Sequence, residues 1–180
     1  AMLDGARAIR SLNHLSATTP VGIWGFSQGG GAAYVGAALQ PTYAPDVNLK
    51  VSYAGAPPID LIPTLQKVEG GALSGLIGYG VNGFAGTYPE VRKAVEENIN
   101  TSGRKNLAKL ANSCVADTLF GYAYQDTGKW THDGKPLVEF LQKYPEVVKV
   151  FDDQRAASVP TPKARVVLYA NPHDAVVPYD

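Results

Sequence analysis

The pentapeptide Gly25-Phe26-Ser27-Gln28-Gly29 constrains this chain more than any other feature, because of what stands on either side of it. Ahead of it, Val21-Gly22-Ile23-Trp24 forms a short apolar run of the kind that parallel sheets bury on both faces. Behind it, three glycines and two alanines open a helix of small residues suited to close packing on such a sheet. A Gly-x-Ser-x-Gly pattern at a strand-to-helix junction is the signature of a nucleophile elbow. The turn is expected to need glycine at both flanking positions, 25 and 29, so that the backbone can double back. It pushes the Ser27 hydroxyl into the crevice at the strand's C-terminal end. It also sets the Gln28 N–H at a helix N-terminus, aimed at a developing oxyanion. The competing reading is a serine that only caps the helix.

The rest of the chain extends this junction into an α/β pattern. Residues 3–15 read as a helix whose apolar face carries Leu3, Ile9, Leu12 and Leu15, with Arg7 and Arg10 turned to water. Pro41 is expected to stop the helix that follows Ser27. Residues 48–54 read as a second strand ending in the breaker Gly55-Ala56-Pro57-Pro58, and residues 164–170 as a third ending at Asn171-Pro172. Between them lies a mainly helical excursion, with segments at 89–98, 106–119 (stripe Leu107, Leu110, Cys114) and 137–151. The fold class expected is α/β: part of a parallel sheet with flanking helices and an inserted helical layer covering the sheet's C-terminal edge. The boundaries are a core of residues 1–59 and 161–180, and an insertion of residues 60–160.

Composition excludes several function classes. Sixteen basic residues balance sixteen acidic ones, and no basic run exceeds two, so neither a nucleic-acid footprint nor a polybasic membrane anchor is present. The longest uncharged stretch, residues 70–89, holds seven glycines and several polar residues, so the chain is not read as transmembrane. A single cysteine, Cys114, forms no disulfide within the chain and no multi-cysteine metal site. No metal or organic cofactor is called for.

A nucleophilic serine needs a base, and the base needs an orienting acid. In α/β hydrolases these come after the serine in the order acid, then histidine. Asp174, just past the third strand, is the candidate acid, a plain turn aspartate being the alternative and Asp180 a distant second. None of the three histidines fits: His14 precedes the serine on a predicted helix, His132 lies in the insertion, and His173 adjoins Asp174. The expectation is therefore an incomplete domain whose histidine lies outside the 180 residues, inactive as an isolated piece. Its opening within a helix, with no earlier strand or oxyanion loop, agrees.

The run from Gly25 to Ala33, with Pro41-Thr42-Tyr43-Ala44-Pro45-Asp46-Val47-Asn48-Leu49 and Gly55-Ala56-Pro57-Pro58-Ile59-Asp60-Leu61, resembles the secretory lipase family. These are actinobacterial secreted lipases related to fungal lipases of the Candida lipase A type, and the likeness spans essentially the whole chain. It implies an α/β-hydrolase core with a helical cap, hydrolysis of acyl-lipid esters at a lipid interface, and secretion. It also implies Ser27 as nucleophile, Gln28 as one oxyanion donor and Asp174 as triad acid, with no cofactor. The family's histidine and second oxyanion donor have no counterpart here. Residues 70–86, with Leu73, Leu76, Ile77, Tyr79, Val81 and Phe84 among glycines, read either as an exposed lid or as close-packed cap helices. Cys114 pairs with a cysteine outside the chain or is a buried thiol. An acyltransferase or peptidase on the same fold, or a non-catalytic lipid-binding module, are the alternative functions.

Overall fold

A computed structural model describes residues 1–179. Its chain divides into two units, one combining Ala1–Asp60 with the stretch from Arg155 onward, the other Leu61–Gln154.

The first unit is built on a parallel three-stranded sheet ordered β1 (Val21–Phe26), β2 (Leu49–Gly55), β3 (Arg165–Tyr169). Parallel neighbours cannot be joined by a tight hairpin and need a crossover. The first crossover carries helix α2 (Gln28–Tyr43); the second contains the whole helical unit. The strands end level with one another, since Phe26 pairs with Gly55 and Gly55 with Tyr169. Helix α2 lies close on the sheet because its inner face is made of Gly30, Ala33 and Ala37, all buried. The two alanines join Ile23, Val47 and Leu49 in one apolar cluster. Ser52, fully buried, donates its hydroxyl to the Ala33 carbonyl at 2.9 Å, which satisfies the polar group that this tight packing encloses.

Several expectations about this unit are corrected. Helix α1 runs Met2–Leu12 and stops short of Leu15. Leu3 is buried in the apolar cluster with Ala6 packed against it, as expected, but Ile9 and Leu12 are 60% and 80% exposed, and Arg7 and Arg10 both bond the Asp46 carboxylate. Pro41 does not stop α2, which continues to Tyr43. So close to the helix end the missing N–H breaks a single rung, and Gln40 caps the terminus by donating to the Ala44 and Val47 carbonyls.

The second unit holds α3 (Leu61–Val68), α4 (Gly75–Thr87), α5 (Pro89–Asn98), α6 (Thr101–Leu110), α7 (Val115–Gly121), α8 (Leu137–Leu141) and α9 (Pro145–Asp153), with a 3₁₀ turn at Thr127–Trp130. Its core centres on the buried Trp130, Phe140, Ile77, Leu110 and Leu137. The segment expected over 106–119 is broken between α6 and α7, and Cys114 is exposed at the α7 N-cap, so it is no buried thiol. The segment over 137–151 is likewise two helices, α9 starting at Pro145, whose ring suits a first helical turn. Within residues 70–86, one face of α4 packs inward. Ile77 and Val81 are fully buried, and a Cβ on Gly78 would lie 2.4 Å from Leu110 Cδ1. Gly75 and Gly78 serve close helix packing, whereas a Cβ on Gly83 or Gly86 would meet nothing within 4 Å.

Among the described residues, no helix is long and apolar enough to cross a membrane.

Candidate active site

The end of β1 is where the backbone departs from ordinary geometry. Ser27 sits at φ 55°, ψ −122°, a left-handed conformation that non-glycine residues seldom adopt and that persists only when the surroundings hold it. Two hydrogen bonds do so. The Ser27 N–H donates to the Gly55 carbonyl at 2.8 Å, and its own carbonyl accepts from the Gly31 N–H at 3.0 Å, starting α2. The Ser27 hydroxyl makes no capping bond to α2. A capping serine would have extended backbone and an oxygen on the second or third N–H of the helix, so the capping alternative fails on both counts.

The steric expectation for the elbow is half corrected. A Cβ on Gly25 would fall 1.9 Å from the Gly29 carbonyl oxygen, so glycine is compulsory there. A Cβ on Gly29 would meet nothing within 4 Å. The second compulsory glycine is Gly30, whose added Cβ would lie 2.3 Å from the Gly55 carbonyl oxygen. The pentapeptide points to position 29, but the crowding comes from β2, which is remote in sequence. Only the run of three glycines hinted at it.

Gln28 is the first residue of α2. Its N–H has no carbonyl one turn earlier to bond and lies at the positive end of the helix dipole.

Asp174 comes five residues after β3, at the same sheet edge as Ser27, with β2 between their strands. Strand spacing sets the axes of β1 and β3 roughly 9–10 Å apart at this edge. The Asp174 Oδ1 accepts from the Val176 and Val177 N–H groups at 2.8 and 3.0 Å, which folds the loop after Asn171-Pro172 into a compact turn. A cleft of about 280 Å³ opens beside it, lined by Ala56, Pro57, Ile59, Tyr169, Asp174 and Val177. The second candidate acid, Asp180, lies outside the described residues.

The histidines are dispersed. His14 is not on a helix as expected but just beyond α1, exposed, with φ 52°. His132 belongs to the helical unit, its N–H on the Asn98 carbonyl. His173 is exposed, its N–H on Asn171 Oδ1. None has a side-chain hydrogen bond to Ser27 or Asp174 among the described residues. No group of three or more potential metal ligands forms among those residues either. The sequence reading missed the Gly55 carbonyl and the residue after it, Ala56, which also has positive φ.

The model of the secretory lipase family matches residues 1–180. The chain is 34% identical, over 92% of its length and 37% of the relative's, to a probable inactive lipase of Mycobacterium tuberculosis (strain CDC 1551 / Oshkosh). It is 30% identical, over 99% of its length and 37% of the relative's, to a secreted triacylglycerol lipase of Malassezia furfur. The crystal structure of Candida antarctica lipase A superposes on the whole chain with a TM-score of 0.88 at 22% identity, 42% of that structure being covered. That likeness establishes the α/β-hydrolase fold. The chain spans about two-fifths of the length of these proteins.

Proposed function

Because the chain belongs to the secretory lipase family, we propose that the protein carrying it is a secreted serine hydrolase that cleaves carboxylic esters of acyl lipids. The observation that carries this reading is the strained Ser27 backbone, held by Gly55 and Gly31 while the hydroxyl is kept out of helix capping.

Ser27 Oγ attacks the ester carbonyl carbon and passes its proton to a histidine, the one member of the triad not assigned to a residue of this chain. Asp174 orients that imidazole and stabilises the charge it gains. The oxyanion of the tetrahedral intermediate accepts from the Gln28 N–H, a kind of donor worth about 3 kcal/mol to the transition state. Collapse expels the alcohol with the proton returned by the histidine, leaving an acyl-Ser27 ester that water hydrolyses to the fatty acid. The helical unit Leu61–Gln154, which lies in the chain between the paired strands β2 and β3, is proposed as the cap insertion of this hydrolase core.

A second reading, a lipid-binding module without catalysis, draws support from the relative named a probable inactive lipase. A serine-reactive fluorophosphonate and a p-nitrophenyl ester series separate the two in the protein that carries this chain. The hydrolase reading expects phosphonylation at Ser27 and a loss of about 10⁴-fold or more in kcat for Ser27→Ala. Activity of that variant within about tenfold of wild type refutes the nucleophile. Lipid binding with neither labelling nor turnover establishes the second reading.

A further inference from the structure

Ala56 is the second place at this sheet edge where the backbone is strained. It lies at φ 41° and is 4% exposed. Glycine is the residue that adopts such a φ without cost, yet alanine stands here. It is followed by Pro57, and a residue before proline is further restricted toward extended backbone. A doubly disfavoured conformation persists only where its surroundings over-determine it.

Those surroundings are on both sides of a single peptide unit. The Gly55 carbonyl accepts the Ser27 N–H at 2.8 Å, and the Ala56 N–H donates to the Tyr169 carbonyl at 2.7 Å. The Gly55–Ala56 peptide is therefore the last rung of the sheet, tied to the nucleophile's own amide on one side and to the final residue of β3 on the other. It is backed by Gly30, which leaves no room for a side chain against the Gly55 oxygen. Past Tyr169 the chain enters the loop that bears Asp174, and Ala56 lines the same cleft as that aspartate.

We propose that Ala56 is a positioning residue: its strained turn into Pro57 sets the orientation of the Gly55–Ala56 peptide, and that peptide holds the Ser27 backbone and the root of the Asp174 loop in one register. The role rests on the serine-hydrolase reading above. Alanine confines the turn to one conformation, where glycine would relax the strain and let the peptide fluctuate about its two hydrogen bonds without losing them.

The test is Ala56→Gly, with Ala56→Ser as the variant that keeps a Cβ, in the protein that carries this chain. A purely structural residue would leave kcat unmoved when its strain is relieved. The positioning role expects Ala56→Gly to keep or raise Tm while kcat on a p-nitrophenyl ester falls by about tenfold or more with KM unchanged, as small misplacements of catalytic groups do. Ala56→Ser recovers most of the loss. The rate of Ser27 phosphonylation falls in parallel with kcat. Wild-type kcat in Ala56→Gly overturns the proposal, and so does a drop in kcat accounted for by a lowered Tm. Ser27→Ala run alongside separates the two levels of inference. If it stays active, the hydrolase reading fails and this role with it. If it is inactive while Ala56→Gly is fully active, only the positioning role fails.

Discussion

Replacing Gly29 and Gly30 one at a time by alanine distinguishes an elbow shaped by its own five residues from one shaped by the neighbouring strand. At Gly29 the added methyl enters open space, so the substitution removes glycine's unfolded-state freedom at no steric cost, a gain of about 0.4–1 kcal/mol. At Gly30 the added Cβ would lie 2.3 Å from the Gly55 oxygen and 3.1 Å from its carbon, both of them backbone atoms in a sheet bonded on both sides. Relief to ordinary contact requires a shift of about 1 Å, the kind of overpacking that costs about 1–3 kcal/mol. Such a shift also weakens the Ser27 N–H bond to that carbonyl, worth about 1 kcal/mol net. Together the cost is about 2–4 kcal/mol, or roughly 5–15 °C in Tm for a chain of this size. Thermal unfolding measured by circular dichroism reads both variants. Gly30→Ala is expected to melt far below wild type and Gly29→Ala at or above it. Equal melting of the two would refute the assignment of the crowding to β2.

Two further outcomes test the packing of each unit. Arg7, and then Arg10, hold the Asp46 carboxyl well below the usual carboxylate range. A depressed pKa in the folded state adds stability above the unfolded value near about 3.9 and loses it as pH falls through the folded one. Wild-type Tm should therefore drop more steeply than that of Asp46→Asn on acidification below about pH 4, and parallel slopes would refute the coupling. In the helical unit, Trp130 is buried and meets Tyr122 edge-on at 6.0 Å. Trp130→Ala should cost about 3–5 kcal/mol, read as a loss of near-ultraviolet circular dichroism and of cooperative melting; an unchanged Tm would show the indole to be dispensable.

Features that depend on local spacing could be read directly along the chain. Gly25, Ser27 and the small-residue helix announce a strand-to-helix elbow because the tight turn and the flat helix face are both properties of consecutive residues. The three strands and the α/β class were legible for the same reason. Asp174 was nominated by its place after a strand, which chain order alone supplies. Local spacing could not decide any contact made by residues far apart in the chain. The arginines of α1 meet Asp46, thirty-six and thirty-nine residues away, while of the helix's aliphatic residues Leu3 is buried and Ile9 and Leu12 are exposed. Two of the glycines in the stretch read as lid or packing, Gly75 and Gly78, became contact points of α4, because α7 and α6 lie against them. The elbow's second compulsory glycine proved to be Gly30, and the strained rung at Gly55–Ala56 went unseen, because both exist only where β2 presents its carbonyl to β1 and α2. Periodicity reports which face a residue occupies, and tertiary structure decides what that face meets.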